Sequence, residues 1–348
     1  MSAALSGVDY RPGHPDDLEA CARIWKAAID GYQVRLNQPP APDELGPIRR
    51  LLDHLLATDP DRYWVAVRAA FTPDPGAGRN GRNPGPETVV GFASATVRGP
   101  LWFLAMLFVD PAAQGSGIGG ALMDRAQAGR DVDPGGPAVP GPDDALDTGI
   151  RTWGMCTDSA QPISNAIYAR RGMVPRIAVW RLLGEVRRWA ALPVPPRSLE
   201  VVPLEVAEGR DVEGRGRTAD ALAEIDREIL GFEHPQDHAW LRREGRVGVL
   251  LRDRGDGRPL GYAYGSNVGR LGPVAALDPA LQPTLIGAAI RAAPAFGPVA
   301  LWVPGTADVA MRSLLDAGLR LDGFPGLVCW SSVEHPFQRY APISLAIV

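Results

Sequence analysis

The chain has 348 residues, which at roughly 150 residues per domain predicts two domains. Apolar residues make up 45%, which excludes wholesale disorder. The formal net charge of −4, with arginines dispersed among acids, speaks against a nucleic-acid binder.

Apolar positions from Leu18 to Tyr32 recur at a 3.6-residue period and predict a helix over 16–32 that opens at Asp16. A second helix is expected over 43–57 and a strand over Tyr63–Ala69. Residues 72–87 read as a Gly/Pro/Asn loop. Thr88–Val97 and Pro100–Val109 read as strands joined at Arg98-Gly99. A Gly-rich turn at 114–120 leads into a helix from Ala121. A second Pro/Gly/Asp loop, expected to be mobile, covers 131–149. A strand follows at 150–157, a helix at 162–171 and a strand at 173–183. Pro193, Pro195 and Pro196 mark residues 186–198 as a linker.

The same order then begins again. A strand at 199–203 and a helix at about 215–230 come first. Strands at 246–252, 258–266 and 271–277 follow, then a helix over 280–293, a strand at 298–303, a helix over 307–317 and a strand at 326–332. Three local alignments support a duplication. Val109–Gly119 lies over Leu277–Gly287, with Asp, Pro, Ala, Gln, Ile and Gly in register. Val90-Gly91-Phe92-Ala93 echoes Leu260-Gly261-Tyr262-Ala263, and Ala169–Gly172 echoes Leu315–Gly318. The spacing shortens in the second copy because the 131–149 loop has no counterpart there.

Other residue types narrow the chemistry. Gly (40) and Pro (34) are nearly twice as frequent as the usual ~12%, without the three-residue period of collagen. Lys26 is the only lysine and follows no Gly-rich loop, so lysine-centred mechanisms are discounted. Cys21, Cys156 and Cys329 are odd in number and scattered, which disfavours a disulfide framework or a zinc site and fits a reducing cytoplasm. Residues 1–10 show no signal peptide. The longest apolar run, Leu101–Val109, is too short for a membrane helix, which needs about 20 residues. The expectation is a cytoplasmic monomer or homodimer, with no membrane or nucleic-acid partner and no metal. His234 and His238 stand four apart in a loop-to-helix segment. No third ligand is evident from sequence, and a surface helix start is the expected reading.

The run Gln114-Gly115-Ser116-Gly117-Ile118-Gly119-Gly120 follows a strand and opens a helix. Glycines at positive φ let successive N–H groups converge, and the helix N-terminus behind them favours an anion such as pyrophosphate. A dinucleotide fold fits poorly. Five residues separate the strand from the first glycine, and a Pro/Gly loop stands where an acidic strand end belongs.

Leu107-Phe108-Val109 through Gly119 instead resembles the acyl-CoA motif of the GCN5-related N-acetyltransferase (GNAT) family, with Gln114, Gly117 and Gly119 at its defining positions. Asn165, Tyr168, Gly172 and Met173 resemble the family's second motif, Met173 replacing the usual aromatic. The resemblance covers about 8–185 well and 199–333 as a worn second copy. It implies an α/β fold with mixed sheets: two tandem GNAT-like domains, each a mostly antiparallel twisted sheet flanked by helices. The catalytic copy is expected at 1–185, the linker at 186–198 and the degenerate copy at 199–348.

The implied activity is acetyl transfer from acetyl-CoA to a primary amine, on a small molecule or peptide, by direct attack in a ternary complex. Backbone N–H groups of Gln114, Gly115, Ser116, Gly117, Ile118, Gly119 and Gly120 would hold the pyrophosphate. Leu107, Phe108 and Val109 would pair with the pantetheine amides. Asn165 would bond the pantetheine arm or cap its helix. Tyr168 would protonate the leaving thiolate. A general base is not readable; Asp30 and Asp158 are candidates, each read first as a cap or solvated turn residue. Trp25, Ile29, Tyr32 and Trp153 are candidates for the acceptor pocket. The missing base keeps open a non-catalytic acyl-CoA sensor or scaffold. In the second copy Pro283 and Leu285 replace Gly115 and Gly117, and Leu314 replaces Tyr168. Loss of acyl-CoA binding is therefore expected there.

Overall fold

A computed structural model of the chain describes residues 7–73, 82–128, 149–204, 212–332 and 337–347. The expected loop over 131–149 lies outside the described residues apart from Gly149, as do residues 74–81 of the expected loop over 72–87; the rest of that loop, 72–73 and 82–87, is instead paired strand. The chain forms two compact units, Met1–Val97 with Trp102–Thr148 and Arg98–Leu101 with Gly149–Val348.

The first unit carries strands β1 (Val8–Pro12), β2 (Tyr63–Pro73), β3 (Arg82–Arg98) and β4 (Leu101–Val109), side by side in that order. The β1–β2 and β2–β3 pairs are antiparallel. Helices α1 (Leu18–Gln33) and α2 (Gly46–Thr58) pack on each other. They bury Leu18, Cys21 and Ile24 of α1 and Leu52, Leu55 and Leu56 of α2, the apolar stripes of their 3.6-residue repeats. Arg11 of β1 grips Asp17 before α1 with two hydrogen bonds of 2.7 and 2.8 Å. Helix α3 (Ile118–Ala128) lies against β2, and Arg62 donates to the carbonyls of Ala126 and Gln127 at its C-terminal end.

The second unit holds two sheets. One is fully antiparallel, in the order β13-β10-β9-β8-β7. Its strands are β7 (Leu199–Pro203), β8 (Val247–Asp253), β9 (Pro259–Gly265), β10 (Val274–Ala276) and β13 (Tyr340–Ala341). Helix α5 (Val212–Leu230) packs on β9 and β10, and α6 (Pro235–Arg243) on α5. Helix α7 (Gln282–Ala292) covers β8, β9 and β10. In the other sheet, β5 (Thr152–Asp158), β12 (Arg320–Trp330), β6 (Val174–Gly184) and β11 (Val299–Pro304) lie in that order, all antiparallel. Helices α4 (Pro162–Arg170) and α8 (Asp308–Ala317) pack on β6 and β11 respectively.

The element order β-α-α-β-β-β-α-β-α-β occurs twice, from β1 to β6 and from β7 to β12. Paired glycines make the repeat physical. A Cβ at Gly91 would lie 3.1 Å from the Phe108 carbonyl of β4 and 3.3 Å from Ile118 of α3. At the equivalent Gly261 it would lie 2.5 Å from the Ala275 carbonyl of β10 and 2.6 Å from Leu285 of α7.

The duplicated halves and the compact units are different divisions of the chain. β5 and β6 of the first half are not neighbours; β12 of the second half lies between them, and β6 lies between β12 and β11. Each half therefore lends its last strand to the other. Trp330 of β12 faces Gly154 of β5, where a Cβ would come within 2.0 Å of the indole. Arg181 of β6 and Asp322 of β12 face each other and form an ion pair of 2.5 Å. The Pro-rich segment is likewise packed: Leu192 is buried and its carbonyl accepts a hydrogen bond from Arg291 of α7.

Candidate functional site

The Gly-rich turn lies in the first unit, between β4 and α3. Asp110 starts it: its N–H donates to Val90 O at 2.9 Å, and its carboxylate accepts from the Ala112 N–H at 2.8 Å. The chain leaves that short 3-10 turn through Gln114 in extended conformation. It then passes through Gly115 (φ +79°) and Gly117 (φ +86°) into α3. An L side chain resists both φ values. Among the described residues, no atom lies within 4 Å of where a Cβ would stand at either glycine, so the described structure leaves the space above the turn open.

Two side-chain bonds fix the turn: Gln114 Nε2 donates to Val109 O at 3.0 Å and Ser116 Oγ to Ala113 O at 2.6 Å. The first backbone bond of α3 is Ala121 N to Gly117 O at 3.2 Å. The N–H groups of Ile118, Gly119 and Gly120 therefore have no intrahelical acceptor. Ile118 is buried and pins the helix start, while Gln114 to Gly117 are exposed. The turn thus presents donors and the positive end of a helix dipole to solvent, the arrangement that binds phosphate. Leu107, Phe108 and Val109, at the end of β4, are half-buried where the rest of the strand is buried.

Asn165 and Tyr168 lie on α4, in the second unit. Asn165 Nδ2 donates to Asp158 O at 3.3 Å, which tightens the turn before α4, and its buried Oδ1 has no partner among the described residues. Tyr168 is 5% exposed, and burial pushes its phenol well above the usual range, so it stays protonated at ordinary pH. Its carbonyl accepts from Arg171 and Met173 N–H as α4 ends, and Met173 is buried.

Both candidate bases carry structural work. The Asp30 carboxylate accepts from Lys26 Nζ at 2.8 Å and from Ala41 N at 2.7 Å. Burial acts to raise it, but these bonds and the Lys26 charge outweigh that and hold it below the usual carboxylate range. Asp158 accepts from Ala160 N at 2.9 Å in its own turn. Trp25, Ile29, Tyr32 and Trp153 are all half-buried.

The aligned turn of the second half has lost the site's shape. Asp278 repeats Asp110, its carboxylate accepting from Ala280 N at 2.9 Å. Helix α7 then starts directly at Gln282, the counterpart of Gln114, one turn earlier than α3 begins in its copy. Gln282 to Ile290 are all buried. Leu314, at the Tyr168 position, is buried core.

The histidine pair departs from the sequence reading. His234 and His238 are not on a surface helix start; both are buried in the second unit. Asp226, eight residues ahead on α5, supplies the third ligand-type group that local spacing did not reveal.

Residues 59–170 match the family model for the acetyltransferase (GNAT) domain. The fold is similar to that of a Pyrococcus horikoshii protein assigned as an acetyltransferase, with a TM-score of 0.64 at 15% identity over 99% of this chain and 97% of that one. It is also similar to a GCN5-related N-acetyltransferase from Sphaerobacter thermophilus, with a TM-score of 0.54 at 15% identity over 93% and 95%. A third similar structure is a tandem GNAT protein from the clavulanic acid biosynthesis pathway, with a TM-score of 0.53 at 15% identity over 93% and 99%. No curated protein matches the chain. Among the described residues, no helix is long and apolar enough to cross a membrane.

Proposed function

We propose that this chain, whose residues 59–170 match the acetyltransferase (GNAT) domain, transfers an acetyl group from acetyl-CoA to a primary amine by direct attack in a ternary complex. The observation that supports this reading is the turn at Gly115–Gly120, with two left-handed glycines and, among the described residues, open space above them and N–H groups at the start of α3 that have no intrahelical acceptor.

On this reading the turn from Gln114 to Gly120 holds the CoA pyrophosphate, and Leu107–Val109 offers backbone groups to the pantetheine amides. The amine nitrogen attacks the thioester carbonyl and forms a tetrahedral oxyanion, which backbone N–H donors stabilise. The carbon–sulfur bond then breaks. Tyr168, kept protonated by burial, gives its proton to the thiolate, and the ammonium proton leaves to a base or water. The Asn165 Oδ1, buried and unpartnered among the described residues, suits an amide N–H of the pantetheine arm. The acceptor is an amine on a small molecule or peptide.

A second reading, a non-catalytic acyl-CoA sensor or scaffold, is favoured by one observation. The two candidate carboxylate bases, Asp30 and Asp158, are already committed to structural bonds.

Steady-state CoA release from acetyl-CoA with a panel of amines separates the two. Turnover with at least one amine is expected, and Tyr168→Phe should lower kcat by about 10²-fold, the scale of a lost general acid. Because the phenol stays protonated, the wild-type profile should show no alkaline fall from Tyr168 below about pH 10. Full activity in the Phe variant sinks the acid assignment. Acetyl-CoA binding without turnover on any amine favours the sensor.

A further inference from the structure

We propose that Asp226, His234 and His238 form a buried site for one divalent transition-metal ion, zinc(II) being the best fit to two imidazoles and a carboxylate. Asp226 stands near the end of α5, His234 just before α6 and His238 in its first turn. Asp226 Oδ2 lies 3.0 Å from His238 Nε2 and 3.3 Å from His234 Nε2, and the two imidazoles stack with centroids 4.5 Å apart. Three donor atoms thus fall within 4.8 Å of one another. Ligands about 2.0–2.1 Å from a tetrahedral zinc stand about 3.3 Å apart, close to these spacings.

Two further observations favour a cation over a shared proton. A histidine that only shares a proton with Asp226 would turn an N–H onto the carboxylate. His238 does so, but both ring nitrogens of His234 are buried and neither completes a hydrogen bond among the described residues. Such a loss is costly for a buried polar group unless something else takes the lone pair.

The second observation is the surrounding shell. Tyr262 Oη donates to the other carboxylate oxygen, Asp226 Oδ1, at 2.7 Å. Tyr264 Oη lies 3.0 Å from His238 Nδ1, the nitrogen facing away from the carboxylate. Asp237 Oδ2 lies 3.9 Å from His234 Nδ1 and is held by Arg98 at 2.9 and 3.2 Å. The outward atoms of Asp226 and His238 thus each meet a polar partner at hydrogen-bond distance, the arrangement that fixes tautomer and aim in metal sites, and the Asp237 carboxylate stands near the outward nitrogen of His234. Tyr262 and Tyr264 are alternate residues of β9, so the strand's two-residue period puts both on one face. The three donors are at most about 2% exposed, which makes the site a structural clamp of α5 on α6 rather than a reaction centre open to substrate.

The test uses the full chain without a histidine tag, unfolded in guanidinium with a chelator and refolded with or without zinc chloride. Zinc-refolded protein is expected to retain one equivalent after gel filtration and to melt about 5–10 °C higher than the metal-free sample. Cobalt(II) refolding should give the visible absorption of a low-coordinate imidazole–carboxylate site. Asp226→Asn keeps an acceptor for Tyr262 but loses the anionic ligand; it should lose the equivalent and the melting shift. Wild-type protein that retains no stoichiometric zinc, or melts at the same temperature with and without it, overturns the proposal and leaves a proton-sharing cluster. Retention of the equivalent by the Asn variant overturns the assignment of these ligands. If that variant does not fold, the wild-type titration still decides.

Discussion

At the scale of single residues, the positions readable from sequence are those where a backbone conformation admits one residue type. Gly115 and Gly117 sit at φ +79° and +86°, values that a Gly run between a strand and a helix already implies. The Cβ of a valine at position 117 would meet no atom of the described residues within 4 Å, so no new contact there would offset the backbone strain of about 1–2 kcal/mol. The same open space is where a pyrophosphate would rest. Gly117→Val should therefore weaken CoA binding by roughly tenfold or more, a loss of about 1.4 kcal/mol at least. The melting temperature should fall by only a few degrees. Isothermal titration beside a thermal melt checks both, and unchanged affinity would remove the turn from the binding site. Asp226 was illegible for the opposite reason. Its meeting with His234 and His238 depends on how α5 folds back on α6, and an acid eight residues ahead of a histidine carries no spacing signal.

At the scale of elements, the periodic segments were legible and their ends less so. The expected helix over 280–293 is α7 at 282–292, but its start has a meaning that sequence only hinted at. Pro283 suits the first turn of a helix, where its missing N–H has no intrahelical role. Its arrival lets helix replace the looped turn, and the buried run from Gln282 to Ile290 uses that turn as core. The helix start expected at His234–His238 is that of α6, with Pro235 in its first turn, but both histidines are buried and not on the surface. The expected strand at 326–332 is β12 at 320–330, extended backward through a register shift between Asp322 and Gly326. Since α7 has no exposed donor turn, the full chain should bind one equivalent of CoA. Gly117→Val should diminish that whole signal. Two equivalents by titration, or one that survives the substitution unchanged, would show that the second half still binds.

At the scale of the whole molecule, duplication was legible and strand exchange was not. Repeats announce themselves through recurring glycines and Asp-Pro-Ala turns, but the order of strands in a sheet leaves no mark on hydrophobic periodicity. Both halves look self-sufficient on paper, each with the same order of elements. In the folded chain, β5 meets β6 only through β12, and β11 pairs with β6. Trp330 is 2% exposed because Gly154, on a strand of the other half, leaves room for its ring. A chain ending at 185 would lose β12 and open long unpaired edges on β5 and β6, which invites aggregation. A chain starting at 199 would strand β11 and β12 without β6 between them. Expressed separately, fragments 1–185 and 199–348 are expected to be largely insoluble. Co-expressed, they should form a soluble 1:1 complex, because the exchanged strands can still pair without a covalent linker. Two fragments that each stay soluble and monomeric, with cooperative melts of their own, would show that the exchange is dispensable. Gly154→Trp offers the matching control: filling the space of the Trp330 indole should abolish recovery of the complex while leaving β1–β4 and α1–α3 untouched.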